Sequence, residues 1–162
     1  MDWRKFRQYL RDKYNVTHAY MFIGYMAENE QLYEHMHDLG YLIVLKPTLD
    51  MKVTPDVSKE ATENSDVAKA EGKDKEKVPV KGNIDADLVL HAMKELPNYS
   101  KAIIVSGDGD FYGLIEYLKG RNKLLHIMTP NWMYSSLLKH FEEYIVRLDQ
   151  LKHELRYHDR KR

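Results

Sequence analysis

The chain has 162 residues, enough for one domain with a sizeable core, and 25 lysines and arginines are balanced by 25 aspartates and glutamates. This balance excludes the strong overall positive field of a protein that binds polyanions non-specifically. The chain has no cysteine, which excludes a disulfide framework, a thiolate zinc site and a cysteine nucleophile. Any metal would therefore be held by oxygen or histidine ligands.

No segment resembles a signal peptide or reaches the length of a membrane-spanning helix. Together with the absence of cysteine, this predicts a soluble, cytoplasmic protein that does not associate with membranes.

The first quarter of the chain alternates predicted helices and strands. An amphipathic helix opens the chain with Asp2 as its N-cap, and the strand "THAYMFIGY" follows. The next helix, "ENEQLYEHMHDLGY", has Leu32, Met36 and Leu39 as its apolar stripe and stops at Gly40. "YLIVLKP" is typical of a buried strand that ends at a proline.

A charged segment at about 50–78 interrupts this alternation. It has almost no large apolar residues and no sustained period, which predicts either a disordered insertion or a flap near the functional site.

The pattern resumes with the helix "NIDADLVLHAMKEL", in which Leu88, Ala92 and Leu96 share one face. Strands alternating with helices predict an α/β fold with a mainly parallel sheet covered on both faces. Residues 1–149 are predicted to form one domain, and residues 150–162 a solvated polar helix or tail. The later predicted elements are strand 101–106, helix 110–119, strand "KLLHIM", helix "WMYSSLLKHF" and strand "YIVRL".

Two aspartates follow strand 101–106 directly, in "SGDGDF". Asp108 and Asp110 lie two residues apart at the carboxyl end of a strand, so both can face one ligand. Adjacent carboxylates repel unless a cation lies between them, and Mg²⁺ or Mn²⁺ prefers oxygen ligands. The alternative is structural: Asp110 caps the following helix, and Asp108 sits in a turn with Gly107 and Gly109.

A second acidic element precedes this one. Asp85 and Asp87 lie in the first turn of a helix, just after Lys81. The helix dipole favours aspartate there without any function, but it does not explain why the next strand also ends in aspartates. The two elements together favour a shared cation site.

The segments "KGNIDADLVL" and "AIIVSGDGDFYGLIEYLKGRNKLLHIM" resemble the NYN domain, a branch of the PIN-like ribonucleases that includes the LabA-like proteins. The resemblance covers nearly the whole chain except the charged segment and the tail. It implies a three-layer α/β/α sandwich of the PIN-like, Rossmann-like kind. It also implies an acidic cluster that holds Mg²⁺ or Mn²⁺ for the hydrolysis of RNA, with single-stranded RNA as the expected substrate.

The resemblance also implies roles for individual residues. Asp85, Asp108 and Asp110 match the catalytic acids that hold the metal. Lys81 and Asn83 are expected to bind the substrate, with Lys81 near a phosphate. Ser106 matches the serine that orients the turn and is also placed with the substrate-binding residues.

Three further residues are weaker candidates for the site: Asp87, His91 and Glu142. His91 stands where many members of the family have a further aspartate, and Glu142 falls near a late acid of some relatives. For His91, an ordinary hydrogen bond in a partly buried position is the competing interpretation. Tyr112, Trp132 and Tyr134 lie close to strand ends, where they would either stack on bases or pack in the core.

The chain departs from the family pattern at its start. Family members normally begin with a central strand that ends in an aspartate, and this chain starts at the helix after that strand. Three explanations remain open: the sequence starts late at an internal methionine, a partner or second copy donates a strand, or the protein is a degraded relative. In each case the strands that flank the missing one cannot pair directly.

The predicted function is a metal-dependent endoribonuclease that is weak or inactive as given. The alternative is an inactive NYN-like scaffold that binds RNA or protein. A phosphatase of the haloacid dehalogenase type would need an early nucleophilic aspartate on a first strand, and none is visible.

Overall fold

The computed structural model describes residues 1–46 and 84–156, which form parallel β-sheets covered by helices. The predicted insertion at 50–78, Lys81, Asn83 and residues 157–162 lie outside the described residues. In chain order, the elements are α1 (Trp3–Tyr14), β1 (Tyr20–Gly24), α2 (Glu30–Asp38), β2 (Leu42–Lys46), α3 (Ile84–Lys94), β3 (Ala102–Val105), α4 (Tyr112–Gly120), β4 (Leu124–Thr129), β5 (Ile145–Arg147) and α5 (Lys152–Leu155). Short 3₁₀ turns precede α2, α4 and α5, and a longer one spans Ser136–Tyr144. The α/β class predicted from the sequence is confirmed.

The ends of the first two helices follow from their capping residues. Asp2 accepts hydrogen bonds from the backbone N–H groups of Arg4 and Lys5, which confirms it as the N-cap of α1. Gly40 follows α2 with a φ of 89°, a left-handed conformation that costs glycine little. The predicted stop at Gly40 is therefore confirmed.

One residue of the stripe predicted for α2 and the burial predicted for β2 are wrong. Leu32 is 46% exposed, whereas Met36 is buried and Leu39 is partly buried, as predicted. Tyr33 takes the place of Leu32, because Tyr33 and Met36 lie three residues apart on the face of α2 that is turned inward. Strand β2 is half-exposed rather than buried, since β1 is its only partner among the described strands.

The helix predicted over "WMYSSLLKHF" starts later and is tighter than expected. Ser135 has extended backbone angles, and its side chain accepts from Leu137 N, so the 3₁₀ segment begins at Ser136.

The end of the described chain also differs from the predicted solvated tail. Leu155 is buried with Phe6 and Leu10 of α1, and Asp2 N donates to Leu155 O at 2.8 Å.

Within the described residues, the strands form two separate sheets. β1 and β2 pair in parallel, and β3, β4 and β5 form a second parallel sheet in that order. Among the described strands, β1 pairs only with β2, and β3 pairs only with β4.

Helix α3 packs against both sheets from one face. The ring of His91 lies 4.4 Å from that of Tyr20 and 5.5 Å from that of Phe22, both on β1. Leu88 and Met93 of α3 pack against the core cluster that contains Ile104 of β3. One helix thus connects the two sheets through side-chain packing.

Helix α1 makes the same connection on the opposite face. Its Phe6 and Leu10 pack with Met128 of β4 and Ile103 of β3. Tyr41, at the start of β2, donates from its hydroxyl to the backbone oxygen of Trp3 at 2.8 Å. Helix layers on both faces of the strands confirm the predicted three-layer arrangement.

We predict that Tyr41→Phe lowers the free energy of unfolding by about 1 kcal/mol at neutral pH, because the buried hydrogen bond to Trp3 is lost. Burial raises the pKa of the Tyr41 hydroxyl to about 12 from its ordinary value of 10.0. The unfolded chain therefore loses this proton first, and wild-type stability falls as pH rises from 10.0 to about 12.

The difference in stability between wild type and Tyr41→Phe should consequently shrink over this pH range, as measured by urea unfolding at several pH values. Tyr20→Phe, at an exposed tyrosine, is the control. A difference in the free energy of unfolding that stays constant to pH 12 would show that folding does not raise the pKa of the Tyr41 hydroxyl.

Candidate metal centre

The loop after β3 is shaped by hydrogen bonds between its own side chains and backbone. Ser106 Oγ accepts from Asp108 N at 3.1 Å, and Asp108 Oδ1 accepts from Asp110 N at 3.0 Å. Asp108 is therefore the N-cap of the short 3₁₀ turn Gly109–Phe111 that leads into α4. The structural alternative assigned the cap to Asp110, and that assignment is wrong.

The helix α3 brings a third carboxylate to this loop. Asp85 lies in the first turn of α3, and one oxygen of each carboxylate of Asp85, Asp108 and Asp110 lies within 4.8 Å of the others. Asp85 is half-buried, whereas Asp108 and Asp110 are exposed. The structure thus brings together the three acids that the sequence assigned to one site.

Three carboxylates this close repel one another, and their repulsion favours a cation among them. All the ligand atoms are oxygen, which suits a hard divalent cation such as Mg²⁺ or Mn²⁺. The donor set therefore fits the metal that the sequence predicts, without defining a coordination geometry.

The weaker candidates lie in other surroundings. Asp87 Oδ2 forms an ion pair with Lys46 Nζ at 3.0 Å, so this carboxylate already has a cationic partner. The ring of His91 packs against those of Tyr20 and Phe22, and its buried Nε2 has no hydrogen-bond partner among the described residues. Glu142 is exposed on the Ser136–Tyr144 segment. In the described part of the chain, the acidic cluster includes none of the three.

A cleft of about 490 Å³ opens beside the two aspartates of the loop. Asp108 and Asp110 form one wall, and the segment after β4 forms the other. Ser135 N donates to Gly107 O at 2.9 Å and so ties the two walls together. The residues of the second wall are Pro130, Asn131, Met133, Ser135 and Leu137.

Sequence reasoning did not assign these five residues to the site, although it named Trp132 and Tyr134 of the same segment as candidates for base stacking or core packing. A further local signal is turn chemistry, since Asn131 Oδ1 accepts from Met133 N at 2.7 Å. The approach of the two walls depends on contacts between distant segments, which sequence spacing does not show.

The fold and the site together define an α/β domain with a cluster of three carboxylates near the carboxyl end of β3. A family model for the NYN domain matches residues 1–149. The chain therefore belongs to the NYN domain family, whose members have a PIN-like nuclease fold and generally depend on a divalent metal. The resemblance predicted from the sequence is confirmed.

A solved structure shares this fold. The chain is similar to the protein of unknown function VPA0982 from Vibrio parahaemolyticus RIMD 2210633, with 23% sequence identity and a TM-score of 0.60. The similarity covers 92% of this chain and 79% of the Vibrio protein. A comparison with curated proteins gives no significant match. None of the described helices is long and apolar enough to cross a membrane.

We predict that Gly109→Ala destabilises the protein by about 1–3 kcal/mol, because a Cβ would clash with Ser135 Oγ and lie 3.1 Å from Leu137 Cδ1. Gly113→Ala is the matched control: its Cβ would meet no atom within 4 Å, and alanine suits helix α4 better than glycine. Thermal unfolding should show a lower Tm for the first variant and an equal or higher Tm for the second. Equal Tm values for the two variants would contradict the close contact between the walls.

We also predict that Mn²⁺ raises the Tm of the wild-type protein and that Asp108→Asn removes most of this shift. A ligand that binds only the folded state stabilises it by mass action, and the variant lacks one ligand charge. Without metal, Asp108→Asn should be as stable as wild type or more so, because repulsion among the three carboxylates is relieved.

The control is Asp38→Asn, at an exposed aspartate of α2. Differential scanning fluorimetry with and without a chelator measures these shifts. The same Mn²⁺ shift in Asp108→Asn and Asp38→Asn would rule out the acidic cluster as the binding site.

Proposed function

We propose that this chain is the core of a metal-dependent endoribonuclease that acts on single-stranded RNA, with Asp85, Asp108 and Asp110 as its metal ligands. The observation that carries the proposal is the convergence of these three carboxylates within 4.8 Å, from α3 and from the loop after β3. The NYN family generally acts on RNA, and the chain's membership of that family supports the substrate class.

A divalent cation at such a cluster supplies an activated water or stabilises negative charge on the leaving oxygen of a phosphodiester. The residues of the chain hold and orient the ligands. Ser106 fixes the backbone of Asp108, and Asp108 in turn fixes the backbone of Asp110. The packing of α3 on both sheets sets the position of Asp85. Lys81 and Asn83 are proposed to contact the RNA substrate, with Lys81 near a phosphate. The proposal also includes a cytoplasmic location.

A second function, an NYN-like scaffold that binds RNA or protein without turnover, is favoured by one observation. β1 and β3 belong to separate sheets, so no described strand lies between them to contribute a further ligand. A second copy or a partner that donates a strand would complete the sheet, and we propose it as the condition for full activity. The two functions share the fold and differ in turnover.

We predict that the wild-type chain cleaves labelled single-stranded RNA in Mn²⁺ and that Asp108→Asn reduces the rate by at least about a hundredfold, because the variant loses a charged ligand of the metal. The asparagine keeps the side-chain oxygen that accepts from Asp110 N, so the turn is retained. Asp38→Asn is the control for charge, and a chelator is the control for metal.

Metal-dependent stabilisation without cleavage in any of these proteins would favour the scaffold. Cleavage that persists in Asp108→Asn would point to a contaminating nuclease or to a different site.

A further inference from the structure

Three apolar residues line the cleft on the side opposite the carboxylates: Pro130, Met133 and Leu137. Together with Trp132, which directly precedes Met133 in the chain, they are here called the apolar wall. Trp132 is 67% exposed and Met133 is 70% exposed. Trp132 is not among the described residues that line the cleft, and its place beside the cleft follows from its direct neighbour Met133. Large apolar side chains exposed in a contiguous group commonly mark a binding surface.

The turn that presents this wall is held by hydrogen bonds of its own. Thr129, which is fully buried, donates from Oγ1 to Asn131 O at 3.1 Å, and Asn131 Oδ1 accepts from Met133 N at 2.7 Å. The backbone on both sides of Trp132 is therefore fixed, although the side chains of Trp132 and Met133 project into solvent. Folding alone does not account for an exposed tryptophan on a fixed turn.

Trp132 differs in solvent exposure from the other two aromatic residues near the site. Tyr112 packs against Phe141 at a ring distance of 5.3 Å, and Tyr134 packs against the core cluster around Ile115. For these two tyrosines, the core-packing interpretation is the better one. Trp132 keeps most of its surface available to a ligand.

The neighbourhood of the wall restricts what can bind there. The same cleft is lined by Asp108 and Asp110 on one side and by Met133 and Leu137 on the other. A ligand that fills the cleft must therefore combine a group that coordinates a carboxylate-bound cation with an apolar surface. A nucleotide in a single strand has both: a phosphodiester and a base whose flat face is uncovered. In a duplex that face is covered by neighbouring base pairs.

We infer that the apolar wall is a base-binding surface, which receives an unpaired nucleobase next to the phosphodiester held at the acidic cluster. Met133 and Leu137 contact the base inside the cleft, and Trp132 stacks on the adjacent base. The inference rests on the proposed function for the position of the phosphodiester, and it adds the residues that select single strands over duplexes.

The test measures binding separately from cleavage. Two labelled RNA hexamers with cleavage-resistant phosphorothioate linkages are compared in Mn²⁺ by fluorescence anisotropy: one carries bases, and the other is abasic. Trp132→Ala should weaken binding of the base-bearing hexamer about tenfold and leave binding of the abasic hexamer unchanged, because stacking on one aromatic side chain is lost. Met133→Ala should have a smaller effect of the same kind. Leu32→Ala, at an exposed leucine of α2, should change neither affinity.

Each result decides the inference. Three results would overturn the inference: an equal effect of Trp132→Ala on both hexamers, no effect on either hexamer, or no binding by the wild-type protein. The apolar wall would then be a candidate surface for a protein partner.

Cleavage of unmodified RNA is measured in parallel. Base-dependent binding without cleavage would support the base-binding surface and contradict the nuclease, whereas cleavage without base-dependent binding would do the reverse.

Discussion

Among the described residues, the two sheets of this protein share no hydrogen-bonded ladder, so contacts through the covering helices hold one sheet against the other. These contacts are mainly side-chain packing, with the Tyr41–Trp3 hydrogen bond and the Lys46–Asp87 ion pair in addition. Helices α1 and α3 provide that packing from opposite faces. In an unbroken sheet, backbone hydrogen bonds would fix each strand against the next. Here, the position of one sheet relative to the other depends on contacts such as His91 with Phe22 and Phe6 with Met128.

The geometry of the acidic cluster depends on the same contacts. Asp108 and Asp110 follow β3 and move with the three-stranded sheet, whereas Asp85 is carried by α3, which also rests on β1. The orientation of Asp85 toward the other two carboxylates is therefore set by how α3 packs across both sheets. A change in that packing would move Asp85 relative to Asp108 and Asp110 without changing any of the three residues.

Local sequence patterns predicted the elements well because helix periods, caps and turn residues act over a few positions. Asp2 and Gly40 are examples, and "SGDGDF" gave the two acids of the loop. The patterns failed where burial depends on what covers an element. Strand β2 looks continuously apolar, yet it is half-exposed, and Leu32 turns outward although its spacing suits a stripe. The cleft was not predicted either, since its second wall comes from a segment beyond β4.

The ion pair between Lys46 and Asp87 shows where the chain leaves the sheet and where it returns. Lys46 is the last residue of β2, and Asp87 lies in the first turn of α3, so the two ends of the intervening segment are neighbours in space. Because these two ends are close, the connection between β2 and α3 does not have to span a distance, and its length can change at a small cost in loop entropy. Residues could therefore be inserted between β2 and α3, close to the acidic cluster, without changes to the core.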